Sequence, residues 1–186
     1  MTEDRSLVLN RQRQLKWRAL DWLEIVLMVL CGFTLFAFSL SVVCDIVTRE
    51  IGHPWLWLQE VTSTFFIYGV FIGAAAATRR NDHLYLAAIG DSLHGIPRQI
   101  IESAIRLVVM TVGLFMTVYG YVNFLRGFSS FRMPSMTPIA SLYAAIPISG
   151  ALIALFSFEQ LVNGLRHGFE SPEDAEKLPE EGPGVL

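Results

Sequence analysis

Charge is scarce in this sequence, and what there is comes in blocks. Only 17% of the 186 residues are Asp, Glu, Lys or Arg, against about 25% in soluble domains. Nearly all of them sit at the N-terminus, in short connectors or in the tail. That segregation excludes a soluble enzyme and a disordered chain. The net charge of −3 lacks the basic footprint of a nucleic-acid binder, so no nucleic-acid partner is expected. Cysteine is nearly missing. Cys31 and Cys44 share one apolar segment, where thirteen helical steps set them about 140° and about 20 Å apart. They cannot pair with each other, which removes a disulfide scaffold, a zinc site and CxxC chemistry within one copy of the chain. The histidines, His53, His83, His94 and His167, all fall outside the apolar segments, so a bis-histidine haem is not expected. No HExxH, GxSxG, Walker A or paired catalytic carboxylates occur. The expectation is therefore no enzyme, no cofactor and no metal.

What remains is apolar: 53% of residues are hydrophobic and the mean hydropathy is +0.46. Four segments stand out, at about 23–44, 55–78, 100–125 and 138–162. Each exceeds the ~20 residues that a helix needs to cross ~30 Å of hydrocarbon, and none alternates as a transmembrane strand would. The expected fold is all-α and integral to the membrane, with four transmembrane helices in a domain over 23–166 and an N-terminal interfacial helix. The first apolar run is too long for a signal peptide and lacks a cleavage site, so it reads as a retained anchor. Residues 1–22 carry Arg11, Arg13, Lys16 and Arg18 around Val8, Leu15, Ala19 and Trp22, the pattern of a helix lying on an anionic leaflet. Residues 167–186 are acidic and rich in Pro and Gly, and read as a disordered, solvated tail. Pro54 suits the first turn of the second helix. No pair of broken helices marks a common transporter repeat.

Basic residues orient the spans. Arg5, Arg11, Arg13, Lys16, Arg18, Arg79, Arg80, Arg98, Arg166 and Lys177 fall on one side, and Arg49, Arg126 and Arg132 on the other. The bias predicts that both termini are cytoplasmic. Trp17 and Trp22 then mark the inner interface, and Trp55, Trp57, Tyr119 and Tyr121 the outer one.

The ionisable residues within the spans are Glu24, Glu60, Glu102, Arg106 and Glu159, all near helix ends rather than at the midplane where proton relays lie. Glu60 is the strongest functional candidate. Buried there, it needs a partner or water; the alternative is an acid favoured by the helix dipole. Glu102 and Arg106 have the spacing and order of a helical ion pair, at a depth that suits snorkelling or a lipid headgroup. Arg79 and Arg80 read as topology anchors at the same interface. Gly69, Gly73 and Ala77 form a small-residue face on the second span, and Ser141, Ala145 and Ser149 one on the fourth. Such faces let helices approach closely, within this chain or against another. Arg49, Trp55, Trp57, Glu60, Arg126 and Arg132, with Phe128 and Phe131, are expected near the outer surface as a partner interface, because arginine and aromatic side chains favour such centres.

Read in order, Arg49-Glu50, Pro54-Trp55, Gln59-Glu60, Gly73-Ala74-Ala75 and Arg79-Arg80-Asn81-Asp82-His83 resemble the small membrane subunit of tripartite ATP-independent periplasmic (TRAP) transporters, the DctQ-like family. Arg49, Glu60, Gly73 and His83 match its pattern, and Pro138, Tyr143, Pro147 and Gly150 resemble its final segment. Glu50, Gln59 and Ala87 depart from it. The resemblance covers roughly 23–166. It implies a supporting role in a bacterial inner membrane. A large membrane subunit would hold the solute and sodium sites, and a periplasmic solute-binding protein would deliver a small organic solute. The present chain would scaffold the first and help dock the second, with membrane lipids around it. Two other classes stay open: an autonomous oligomeric four-helix carrier with Glu60 as coupling acid, and a membrane enzyme or redox subunit.

Overall fold

A computed structural model describes residues 17–80 and 96–167. Within them the chain forms a 3₁₀ turn at Arg18–Leu20, then α1 (Asp21–Glu50), α2 (Leu58–Arg80), α3 (Ile96–Arg126), a second 3₁₀ turn at Gly127–Ser129, α4 (Ala140–Tyr143) and α5 (Ala145–His167). Four helical stretches, Arg18–Glu50, Leu58–Arg80, Gln99–Ser129 and Ala140–Arg166, are long and apolar enough to cross a membrane. The all-α membrane fold expected from the sequence is what the chain adopts. The N-terminal interfacial segment falls mostly on residues 1–16, outside the described ones; Arg18–Leu20 runs directly into α1.

In hydrocarbon every backbone polar group must be satisfied within the segment, which leaves the helix as the local solution. The hydroxyls inside the spans follow the same rule by bonding back to their own helix. Thr34 donates to the Leu30 and Cys31 carbonyls, Thr62 to Leu58, Thr78 to Ala74, Thr117 to Gly113 and Ser149 to Ile146.

Helix ends are set by identifiable residues. α1 runs past the apolar segment to Glu50 and stops at Gly52, whose φ of 80° is left-handed. Gly52 N–H donates to Arg49 O (3.0 Å) and His53 N–H to Thr48 O (3.1 Å), the paired bonds of a Schellman terminus. The sequence places Pro54 in the first turn of α2, but that helix begins at Leu58. Leu58 N–H closes a turn on Trp55 O (2.9 Å), so Pro54 to Trp57 belong to the connector. The fourth span divides into α4 and α5 at Ala144. Pro147 has no N–H for the Tyr143 carbonyl four residues earlier, and its ring crowds that carbonyl; Ile148 N–H reaches Ala144 O only at 3.4 Å.

The helices form an open row. α1 packs on α2, α2 on α5, and α5 on α3, while α1 and α3 stand at the two edges without extended contact. The chain is thus two antiparallel hairpins, α1/α2 and α3/α5, joined along the α2/α5 seam. The α3/α5 hairpin is the tighter. A Cβ on Gly113 would fall 2.8 Å from Ala154 N, one on Gly120 3.0 Å from Pro147 N, and one on Gly127 2.7 Å from Ala140 N. These are backbone contacts that only glycine permits. The α1/α2 hairpin meets through side chains. Gly69 faces Thr34 Oγ1 (3.2 Å) and Gly73 faces Cys31 Sγ (3.3 Å), with Phe33 edge-on to Phe65 and Phe38 against Phe66. At the seam, Leu27, Ala76 and Phe156 form the buried apolar cluster.

Candidate functional site

Both ends of the α2/α5 seam carry a polar assembly centred on an arginine. At the C-terminal end of α2, Arg79 is completely buried. Its Nη2 lies 2.9 Å from Asp21 Oδ1, its Nη1 3.3 Å from Glu24 Oε2 and its Nε 3.4 Å from Glu159 Oε2. It also donates to the backbone carbonyls of Leu20 and of Trp17, and its guanidinium sits 5.5 Å from the centre of the Phe156 ring. Three carboxylates, two carbonyls and an aromatic face therefore converge on one cation, the form in which a buried charge is tolerated.

The surrounding residues extend this centre to every element nearby. Trp17 donates its backbone N–H to Glu159 and its indole N–H to Asn163 Oδ1 (2.7 Å). Gln160 Nε2 caps α2 by donating to the carbonyls of Thr78 (2.9 Å) and Arg79 (3.1 Å), two of the carbonyls that a helix end leaves without intrahelical partners. α1, α2, α5 and the segment before α1 are thus fastened at one point.

At the other end, the connector between α3 and α4 folds over the first turns of α2. Phe131 and Pro138 face each other as an isolated antiparallel bridge, closed by Arg132 N–H to Thr137 O (2.9 Å) and Ile139 N–H to Ser130 O (2.9 Å). The Met133–Pro134 peptide in the tip is cis. This loop delivers Arg132 and Ser135 to Glu60. Arg132 Nη1 donates to Thr64 Oγ1 and Nη2 to Glu60 O, both at 3.0 Å, while its Nε stands 4.0 Å from Glu60 Oε2. Ser135 donates to Glu60 through its N–H (3.3 Å) and its hydroxyl. Farther along, Tyr68 Oη donates to Ser141 O (2.7 Å). Between these contacts lies a cavity of 450 Å³, lined by Trp57, Glu60, Val61, Thr64, Phe65, Arg132, Ser135, Thr137, Pro138 and Ser141.

Of the residues singled out in the sequence, Trp57, Glu60 and Arg132 meet, and the partner that buried Glu60 requires is supplied within the chain. Trp55 stacks on Trp57 (5.8 Å) and both are exposed. Arg49 is exposed and pairs with Asp45 on its own helix (3.0 Å); Arg126 is exposed. Gly69 and Gly73 are used inside the chain, against α1, and Ala77 is half-buried on the same helix. Two of the residues expected at the lipid interface are buried within the chain. Arg79 does not snorkel, because acids on α1 and α5 neutralise it in the interior. Arg106 is 4% exposed and bonded to Glu102 on its own helix. Arg80 reaches Met28 Sδ (3.3 Å) and Arg18 is exposed; Arg11, Arg13 and Lys16 lie outside the described residues.

The Arg79 centre itself is absent from the sequence-based candidates. Its trace was the Glu159, Gln160, Asn163 set on one face of an apolar helix, at the same depth as Asp21 and Glu24. The close-packing glycines were also missed; Gly113, Gly120 and Gly127 recur every seven residues. The three acids of the first centre are occupied by the Arg79 guanidinium, and among the described residues no group of three His, Cys, Asp or Glu is arranged to hold a metal ion.

The family model for the DctQ component of tripartite ATP-independent periplasmic transporters matches residues 38–167. Among curated proteins, a sialic acid TRAP transporter permease protein, SiaT of Haemophilus influenzae (strain 86-028NP), is 24% identical over 136 residues, 69% of this chain. The chain spans 21% of that relative's length.

Proposed function

The chain belongs to the DctQ component family of tripartite ATP-independent periplasmic transporters, and from that premise we propose that it is the small, non-catalytic membrane subunit of such a transporter. It scaffolds a large membrane subunit that carries the solute and cation sites, and it helps a periplasmic solute-binding protein to dock for cation-driven uptake of a small organic solute. The observation that carries this reading is the open row of helices. A self-contained carrier needs a site enclosed by its own helices, whereas a single row offers a wall with two broad faces. Those faces are apolar, with Phe36 and Leu40 exposed on α1 and Val112 and Phe115 on α3. The large subunit covers one of them in this reading, and membrane lipids cover what it leaves.

The chain is a multi-pass inner-membrane protein. With both termini in the cytoplasm, as the basic bias suggests, the Arg79 centre lies at the inner interface and the Glu60–Arg132 assembly at the outer one. Arg49, Trp55 and Arg126 are then free to meet the binding protein. Glu60 is poorly placed to act as the coupling acid of an autonomous carrier, because it lies in the first turn of α2, far from midspan, where Ser135 donates to its carboxylate.

Co-expression with the large subunit tests this directly. The chain should co-purify with the large subunit, and alone in liposomes it should drive no sodium-dependent uptake. Uptake above background by this chain alone would overturn the proposal. Exposed charges act mainly on association rate, so Arg49→Glu with Arg126→Glu should slow uptake more at low salt than at high salt.

A further inference from the structure

We propose that the 450 Å³ cavity at the Glu60 end of the seam holds the headgroup of a zwitterionic phospholipid bearing a primary ammonium, phosphoethanolamine in chemical class. This requires only that the chain lies in a bilayer, and it stands apart from the proposed transporter role.

Depth is the first argument. The cavity runs from Trp57, in the connector, to Phe65, about two turns into α2. That is where a bilayer changes from headgroups to acyl chains, and Trp57 in its lining is the residue type that populates that boundary. Its wall is largely apolar, with a few polar groups set into it, the usual form of a small-ligand site, and its volume lies within the range of such sites.

Charge selects the ligand. One cation and one anion, Arg132 and Glu60, stand side by side in the lining. Arg132 places both terminal nitrogens on Thr64 and the Glu60 carbonyl but leaves Nε 4.0 Å from the carboxylate, beyond hydrogen-bond reach. A phosphate oxygen fits that donor, next to the Thr137 hydroxyl, which already bonds Ser135 Oγ (2.8 Å). An ammonium on a two-carbon tether then reaches Glu60, an acceptor with two oxygens and room for more than one donor. A ligand of purely negative charge would face Glu60 without compensation. A quaternary ammonium has no N–H to give to the carboxylate, and only one of the two tryptophans, Trp57, lines the cavity, short of an aromatic cage.

The test titrates the full-length chain in micelles with short-chain phosphatidylethanolamine, phosphatidylcholine and phosphatidylglycerol, following tryptophan fluorescence and lipid retained in native mass spectra. Phosphatidylethanolamine should bind at least about tenfold more tightly than phosphatidylglycerol, the factor expected when a charge-assisted hydrogen bond is replaced by a repulsion. Glu60→Gln should reverse that preference, and Arg132→Gln should weaken both lipids. The reversal cannot come from misfolding, which would lower all affinities together. Should either variant fail to purify, the selectivity of the wild-type chain alone decides. Equal binding of the three lipids overturns the proposal. So does binding of free O-phosphoethanolamine as tight as that of the lipid, which would make the occupant a soluble zwitterion.

Discussion

Arg79 and Arg132 do the same job at opposite ends of α2, and they do it with different chemistry. Each ties the α1/α2 hairpin to the α3/α5 hairpin. Arg79 is sealed from solvent, and its bonds run to three carboxylates on two helices and to two carbonyls of the entering chain. Arg132 sits on a loop, donates to a hydroxyl and a carbonyl, and keeps its only carboxylate at 4.0 Å. The contrast separates two uses of an arginine in a membrane protein. Where no water reaches, the cation and its acids must all be present, since a missing member leaves the rest charged and stranded. At a wetter edge the same residue can be lost with less damage, and its neighbours remain available to other ligands.

Stability measured in micelles can break or sharpen this contrast. Arg79→Gln should have the largest effect, about 3–5 kcal/mol, because it strands buried acids; a chain that unfolds at the wild-type denaturant midpoint would mean that water already reaches the centre. Arg132→Gln should cost about 1–3 kcal/mol through the bonds to Thr64 and the Glu60 carbonyl, read from the same denaturation curve. Trp17→Phe keeps an aromatic side chain but removes the indole N–H bond to Asn163, so about 1 kcal/mol is expected, together with faster proteolysis ahead of α1. Arg49→Gln removes an exposed pair with Asp45 and should shift the midpoint least, by at most about 0.5 kcal/mol. A cost for Arg49 equal to that for Arg79 would show that burial is not what sets the order.

The spans were legible because bilayer thickness writes itself into the sequence as apolar length. The ends were less legible: the stop at Gly52 and the break before Pro147 were not anticipated, and Pro54 misled, because the turn closed by Leu58 on Trp55 delays α2 by a full turn. Neighbour relations were not legible. Nothing local in the sequence says that α2 meets α5 rather than α3, so the acids Glu24 and Glu159 read as isolated interfacial groups. Arg79 is 58 residues from Asp21 and 80 from Glu159 in the chain, distances over which no periodicity carries information. Glu60 was legible as a group in need of a partner. Arg132 was recognised as lying on the same side, and only the fold of the loop joins them.

The glycines at 113, 120 and 127 act as the notches of a key. Successive notches are seven residues, or about 10.5 Å, apart along the helix. If α3 slid along α5 by less than that, side chains would be driven into the backbone of Ala154 and Pro147, which now lie against bare glycine, and the turn at Gly127 would be driven into Ala140 of α4. The two helices therefore have one axial register, with no shallow series of intermediates between it and the next. A displacement of the connector between α3 and α4 should therefore move this pair as a unit, because close glycine contacts oppose telescoping.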